Sequence, residues 1–207
     1  MIDIFSKSVP NVEDTTCHTG GAPGSDTVFE ETSIEYGIRV CAYSYKTEYH
    51  KSPNKVEISD EDYNEGVQEI NKANKSLGRY GISKYMNLLA RNWVQVKKSK
   101  QIFAIGTIVE PGSKNAKGYY SKSRYQTVDG GTGYAVQMGI NNNKDVYVFN
   151  QSNNKWYRWS YNTMSFVRCE KIPTIDVNDF AGIGTREITE HGVRAIKELF
   201  ENTFITK

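Results

Sequence analysis

Cysteine is scarce in this chain of 207 residues: Cys17, Cys41 and Cys169 form an odd set with no CxxC pair. That excludes a disulfide framework and a zinc knuckle and fits a reducing compartment. Long apolar runs are also missing. Nowhere do about 18 uncharged apolar residues follow one another, as a membrane-spanning helix requires. The opening MIDIFSKSVPNVED has no signal-peptide core. The expectation is a soluble, cytoplasmic protein with no membrane partner. There is no excess of one charge either: 26 Lys+Arg stand against 24 Asp+Glu, a formal net charge of +2. Nucleic acid is therefore a disfavoured partner, because phosphate backbones are gripped by concentrated basic charge. His18, His50 and His191 show no HExxH or other paired spacing, so no metal site is expected. Neither GxGxxG nor GxxxxGK[ST] occurs, which argues against an ordinary NAD site and a P-loop, and no cofactor is expected.

What is present is a repeated grammar on a chain of single-domain length. In TTCHTGGAPGSDTVFEETSIEYGIRVCAYSY, residues 15 to 45, a short strand runs into a glycine turn, an amphipathic helix and a buried strand. Ser59, with Asp62 three residues on, predicts a surface helix to about residue 75, and SKYMNLLARNWVQVKKSK predicts a helix buried on one side. QIFAIGTIV reads as a central parallel strand. Residues 110 to 128 lack periodicity and read as a lid loop. DGGTGYAVQMGINNNKDVYVFN repeats turn, helix and strand; NKWYRWSYNTMSFVRCE, within 151 to 172, reads as a β-hairpin; FAGIGTRE followed by EHGVRAIKELFENTF is a third strand, turn and helix. The fold class expected is α/β and Rossmann-like, a mainly parallel sheet flanked by helices with a hairpin elaboration.

Glycines between a strand and a helix let a ligand approach the main chain, where exposed N–H groups and the positive helix end favour an anion. In open parallel sheets such turns gather at the carboxyl edge. Three in one chain predict a shared pocket formed by Gly20, Gly21, Gly24, Ser25 and Asp26, then Gly106 with Gly130, Gly131, Thr132 and Gly133, and finally Gly184, Thr185 and Arg186. Asp26 is placed to accept a ribose hydroxyl and Arg186 to hold a phosphate in its fork.

The string TGGAPGSDTVFE resembles the SGGAxGxD motif of the SLOG superfamily of Rossmann-like proteins. That superfamily includes the DNA-processing protein A family, molybdenum-cofactor carrier-like proteins and the Lonely Guy phosphoribohydrolases. ARNWVQVKKSKQIFAIG is similar to the RNxxMVxxADxVIAF segment of small members, which adds Arg91 and Asn92 to the implied site. DGGTGYAVQMGINNNKDVYVF looks like the GGxGTxxE loop, helix and strand, and FAGIGTRE like the GSR-type turn that normally comes first. Its position at residues 180 to 187 implies a circular permutation, the last strand taking the sheet position of the first.

The resemblance implies a binder of a nucleotide or nucleotide-derived small molecule, of ADP-ribose or nucleoside-phosphate type, cyclic forms included, acting as a sensor, carrier or sequestering protein. It also implies a homo-oligomer, since such relatives often pair. The Asn, Lys and Tyr bias of AT-rich coding sequence fits a phage-encoded sponge working in the host cytoplasm. Where the phosphoribohydrolases carry their catalytic Glu, this chain has Gln137, whose amide can bond a hydroxyl but supplies neither charge nor base. Turnover is therefore not the leading expectation. An N-glycosidase using Asp26, Asp129 or Glu187 is the alternative, and a DNA-handling module the third.

Overall fold

The apolar runs of the sequence become neighbouring strands. The computed structural model describes residues 9–205. In chain order the elements are β1 (Thr16–Thr19), α1 (Ser25–Glu35), β2 (Arg39–Ser44), β3 (Lys55–Glu57), α2 (Asp60–Leu77), α3 (Met86–Lys98) and β4 (Gln101–Gly106). There follow β5 (Ile108–Val109), β6 (Thr127–Val128), α4 (Thr132–Asn141), β7 (Asp145–Asn150), β8 (Lys155–Ser160), β9 (Ser165–Arg168), β10 (Asp179–Gly184) and α5 (Glu190–Phe204). Eight strands form one sheet in the order β3-β2-β1-β10-β4-β7-β8-β9, parallel from β3 to β7 and antiparallel through β8 and β9. This is the Rossmann-like α/β arrangement with a hairpin added at one edge. The last strand in the chain, β10, lies in the middle of the sheet between β1 and β4.

Alternation along the central strands separates two cores. On β4, Ile102 and Ala104 face one layer and Phe103 and Ile105 the other; on β7, Val146 and Val148 oppose Tyr147 and Phe149. The first layer is covered by α2, α3 and α4, the second by α1 and α5. Helix α5 presents Ala195, Ile196, Leu199 and Phe200, a buried stripe at 3.6-residue spacing. Each large side chain fully buried in this way contributes about 1.5–3 kcal/mol. Thr189 caps the helix by accepting from Gly192 N at 3.1 Å, and Ser59 caps α2 by accepting from Asp62 N at 3.0 Å.

Two elements differ from expectation. Strand β3 went unread because Lys55, Val56 and Glu57 are all exposed on the sheet edge, so no apolar alternation marks them. Segment 110 to 128 is not a free loop: β5 and β6 pair antiparallel at its base, and a bridge joins Lys114 to Tyr120. Gln126 Oε1 accepts from Phe166 N at 2.7 Å, tying the segment to the hairpin.

Candidate functional site

Connections from β1 and β10 place α1 and α5 on one face, whereas the connection from β4 places α4 on the other. The carboxyl ends of β10 and β4 therefore flank a topological switch point, where open α/β sheets bind ligands. Here the first and third glycine turns interlock. Gly24 has φ 97°, and a Cβ on it would stand 2.5 Å from the Arg186 carbonyl oxygen, so the two turns touch through backbone. Ser25 donates to the Thr185 carbonyl through its N–H at 3.0 Å and its hydroxyl at 2.8 Å. Thr185 N in turn donates to Ile105 O at 3.0 Å.

Charge is buried in this corner. Asp26, 5% exposed, accepts from Gly184 N at 3.1 Å and more weakly from Ala22 N at 3.4 Å, bridging the two turns. Burial pushes its carboxyl up to about 6, against the opposing pull of the Arg91 guanidinium. Arg91, also 5% exposed, is carried by α3 and donates to the carbonyls of Gly20 and, at 2.9 Å, Tyr43. Burial lowers its pKa; the Asp26 charge raises it and the Arg186 charge lowers it further. The Arg91 guanidinium thus stands under the influence of one carboxylate and a second guanidinium, and Arg186 itself is exposed.

Other predicted residues are placed differently. Asn92 turns along α3 and accepts from Gln95 Nε2 at 3.3 Å. Glu187 is exposed and accepts from the Thr185 hydroxyl at 2.9 Å. Asp129 holds the 110–128 segment, accepting from Asn115 Nδ2 at 3.1 Å, Ala116 N at 3.2 Å and Gly130 N at 2.7 Å. The second glycine turn makes its contacts with β6, α3 and Arg79. Arg79 donates to Val128 O and Gly130 O, Gly131 packs on Leu89, and a Cβ on Gly133 would collide with Val128 O. Gly106 is packed against Val128, and Thr132 is buried at the start of α4. Gln137 donates to Asn141 Oδ1 at 2.9 Å and lines a groove beside the hairpin rather than the Asp26 corner.

Sequence reasoning missed His50. Its ring lies against Gly21, and neither buried ring nitrogen meets a partner at full hydrogen-bonding geometry. Burial and then Arg91 lower its pKa. Nothing in the polar stretch between β2 and β3 marks it out. His18 is held by side chains: Tyr43 Oη at 2.9 Å from Nδ1 and Asp179 Oδ1 at 3.0 Å from Nε2. A carboxylate only accepts, so Nε2 carries the proton and Tyr43 donates to Nδ1. This links α3 to β10 behind the turn, since the Tyr43 carbonyl is one of the Arg91 acceptors. Cys17 and Cys41 sit on paired strands, and burial pushes the Cys17 thiol up to about 12, an inert state.

Two concavities among the described residues, of about 460 and 480 Å³, flank the hairpin and include no residue of the first or third turn. Among the described residues, no group of three or more His, Cys, Asp or Glu could hold a metal ion, and no helix is long and apolar enough to cross a membrane. Comparison with models of known protein families, with curated proteins and with solved structures finds no match to this chain.

Proposed function

We propose that this protein binds a nucleotide or nucleotide-derived small molecule at the carboxyl edge of the sheet, where the first and third glycine turns meet. It acts as a sensor, carrier or sequestering protein without obligatory turnover. One observation carries the reading: the buried guanidinium of Arg91 feels both the Asp26 carboxylate and the exposed guanidinium of Arg186 at the switch point. Beside the buried Asp26 and Arg91, Arg186 offers an exposed guanidinium of the kind that holds a phosphate. The resemblance of TGGAPGSD and FAGIGTRE to SLOG turns supports the same assignment.

Calorimetric titration with nucleoside monophosphates, NAD and cyclic nucleotides tests it. At least one binding event should disappear in Arg186→Ala, which removes an exposed side chain and leaves the fold intact. If the titrations of Arg186→Ala and Arg91→Lys superimpose on that of the parent, the reading is wrong.

A second reading, N-glycosidic hydrolysis, is favoured by Asp26 alone. A buried carboxyl titrating near neutrality suits general acid–base work. Asp129 and Glu187 are held by structural bonds instead. Chromatography of the same incubations should recover intact ligand; release of free base would replace the binder with the hydrolase.

A further inference from the structure

The groove of about 480 Å³ beside the hairpin is built by four parts of the chain. Lys75 and Ser76 come from the last turn of α2, and Gln137, Ile140 and Asn141 from α4. Lys122, Arg124 and Tyr125 come from the segment between β5 and β6, and Trp159 and Tyr161 from the hairpin. Its volume lies within the range of about 300–1,000 Å³ usual for small-molecule sites.

Three cations line it and no Asp or Glu does. None of the three is in the ion pairs within 4 Å among the described residues. That is uneven in a chain whose charges nearly cancel overall. Lys75 has a local reason, since a cation is favourable in the last turn of a helix. Lys122 and Arg124 have none.

The walls are held in place. Ser123, buried between the two exposed cations, accepts from Tyr125 N at 3.2 Å, and the backbone of Lys122 rests on the α2 cap at Gly78. Tyr161 donates to Lys144 O at 2.7 Å while its ring stays partly exposed, as does that of Tyr125. Trp159, 4% exposed, lines the groove, and its buried indole N–H has no hydrogen-bond partner in the protein.

We infer that this groove is a second binding site, for a phosphorylated aromatic molecule of nucleoside mono- or diphosphate size. Lys122, Arg124 and Lys75 take the phosphate. The rings of Tyr125 and Tyr161 flank the base, and the amides of Gln137 and Asn141 meet its polar edge, since amides both donate and accept. A phosphate near neutral pH carries about −1.5 to −2 charges, which two or three cations match. The site shares no lining residue with the Asp26 corner and stands whether or not that corner binds.

Tryptophan fluorescence titrated with AMP is the test, with adenosine, ribose 5-phosphate and inorganic phosphate as parallel probes. AMP should change the emission, and Lys122→Glu with Arg124→Glu should weaken its binding tenfold or more while circular dichroism stays unchanged. Arg186→Ala should leave this signal in place. Adenosine and ribose 5-phosphate should each bind at least tenfold more weakly than AMP. The inference is overturned if the charge reversals leave the AMP titration unmoved, if Arg186→Ala abolishes it, or if inorganic phosphate binds as tightly as AMP.

Discussion

Two corners of the sheet's carboxyl edge carry the same sequence grammar and do different work. At the β1 and β10 corner, glycine lets one turn touch another and leaves Asp26 and Arg91 buried between them. At the β4 and α4 corner, Gly133 and Gly106 let the helix and β4 lie against β6, and the nearby cation, Arg79, spends its donors on two carbonyls. A glycine spacing therefore predicts close approach without saying what approaches. Buried charge, which costs free energy unless it is paired or used, separates the corner proposed to hold a ligand from the one whose glycines contact β6 and Arg79.

The largest effect expected from breaking the first corner is that of Gly184→Val. A Cβ there would meet the Ser25 side chain and stand 2.9 Å from the Ile105 carbonyl, and neither the Ser25 Cβ, fixed to its helix, nor the backbone oxygen can yield easily. Overpacking of this kind costs about 3 kcal/mol or more. For a domain of this size that is a fall in Tm of roughly 6–12 °C, read by thermal unfolding. An unchanged Tm would show that the β1 and β10 turns do not interlock as described.

Asp26 gives a second, titratable difference between the corners. Its folded pKa is raised from 3.8 to about 6. The folded state therefore holds a proton that the unfolded state has lost between those values. The stability this contributes is complete below about pH 4 and is lost as pH rises through about 6, by up to about 3 kcal/mol if the full shift is expressed. Asp26→Asn removes the titration, so urea midpoints measured from pH 4 to 7 should lose this downward component. If the parent and the variant keep parallel profiles, the carboxyl is not desolvated.

Much of the frame was legible because it rests on local signals. The burial of QIFAIG and DVYVFN, the Ser59 and Thr189 caps and the α5 stripe each follow from propensity and periodicity. The strand-turn-helix rhythm carried the parallel sheet. The site was legible only in part. Asp26 and Arg186 lie beside glycines and could be found from the turns, whereas Arg91 came only through a resemblance, since nothing in the helical spacing of ARNWVQV shows that its guanidinium reaches back to Gly20. His50 and the pairing of His18 with Asp179, 161 residues apart, depend on tertiary contact alone. Gln137 lines the groove beside the hairpin, away from the first and third turns, while the glycines of GGTG lie against β6 and α3; neither placement is marked by local spacing.

Asp129 tests the other side of the comparison, because its carboxylate is committed to backbone and to Asn115 rather than to a ligand. Asp129→Ala deletes acceptors for Asn115 Nδ2, Ala116 N and Gly130 N, all at a partly exposed site where water can replace them. The loss should therefore stay near the low end for such bonds, about 1 kcal/mol. The change should be local: faster amide hydrogen exchange at Ala116 and Gly130, with protection on β4 and β10 unchanged. Nucleotide binding at the Asp26 corner should persist at full strength. Loss of that binding in Asp129→Ala would mean that the second glycine turn belongs to the same pocket after all, and that the two corners act as one.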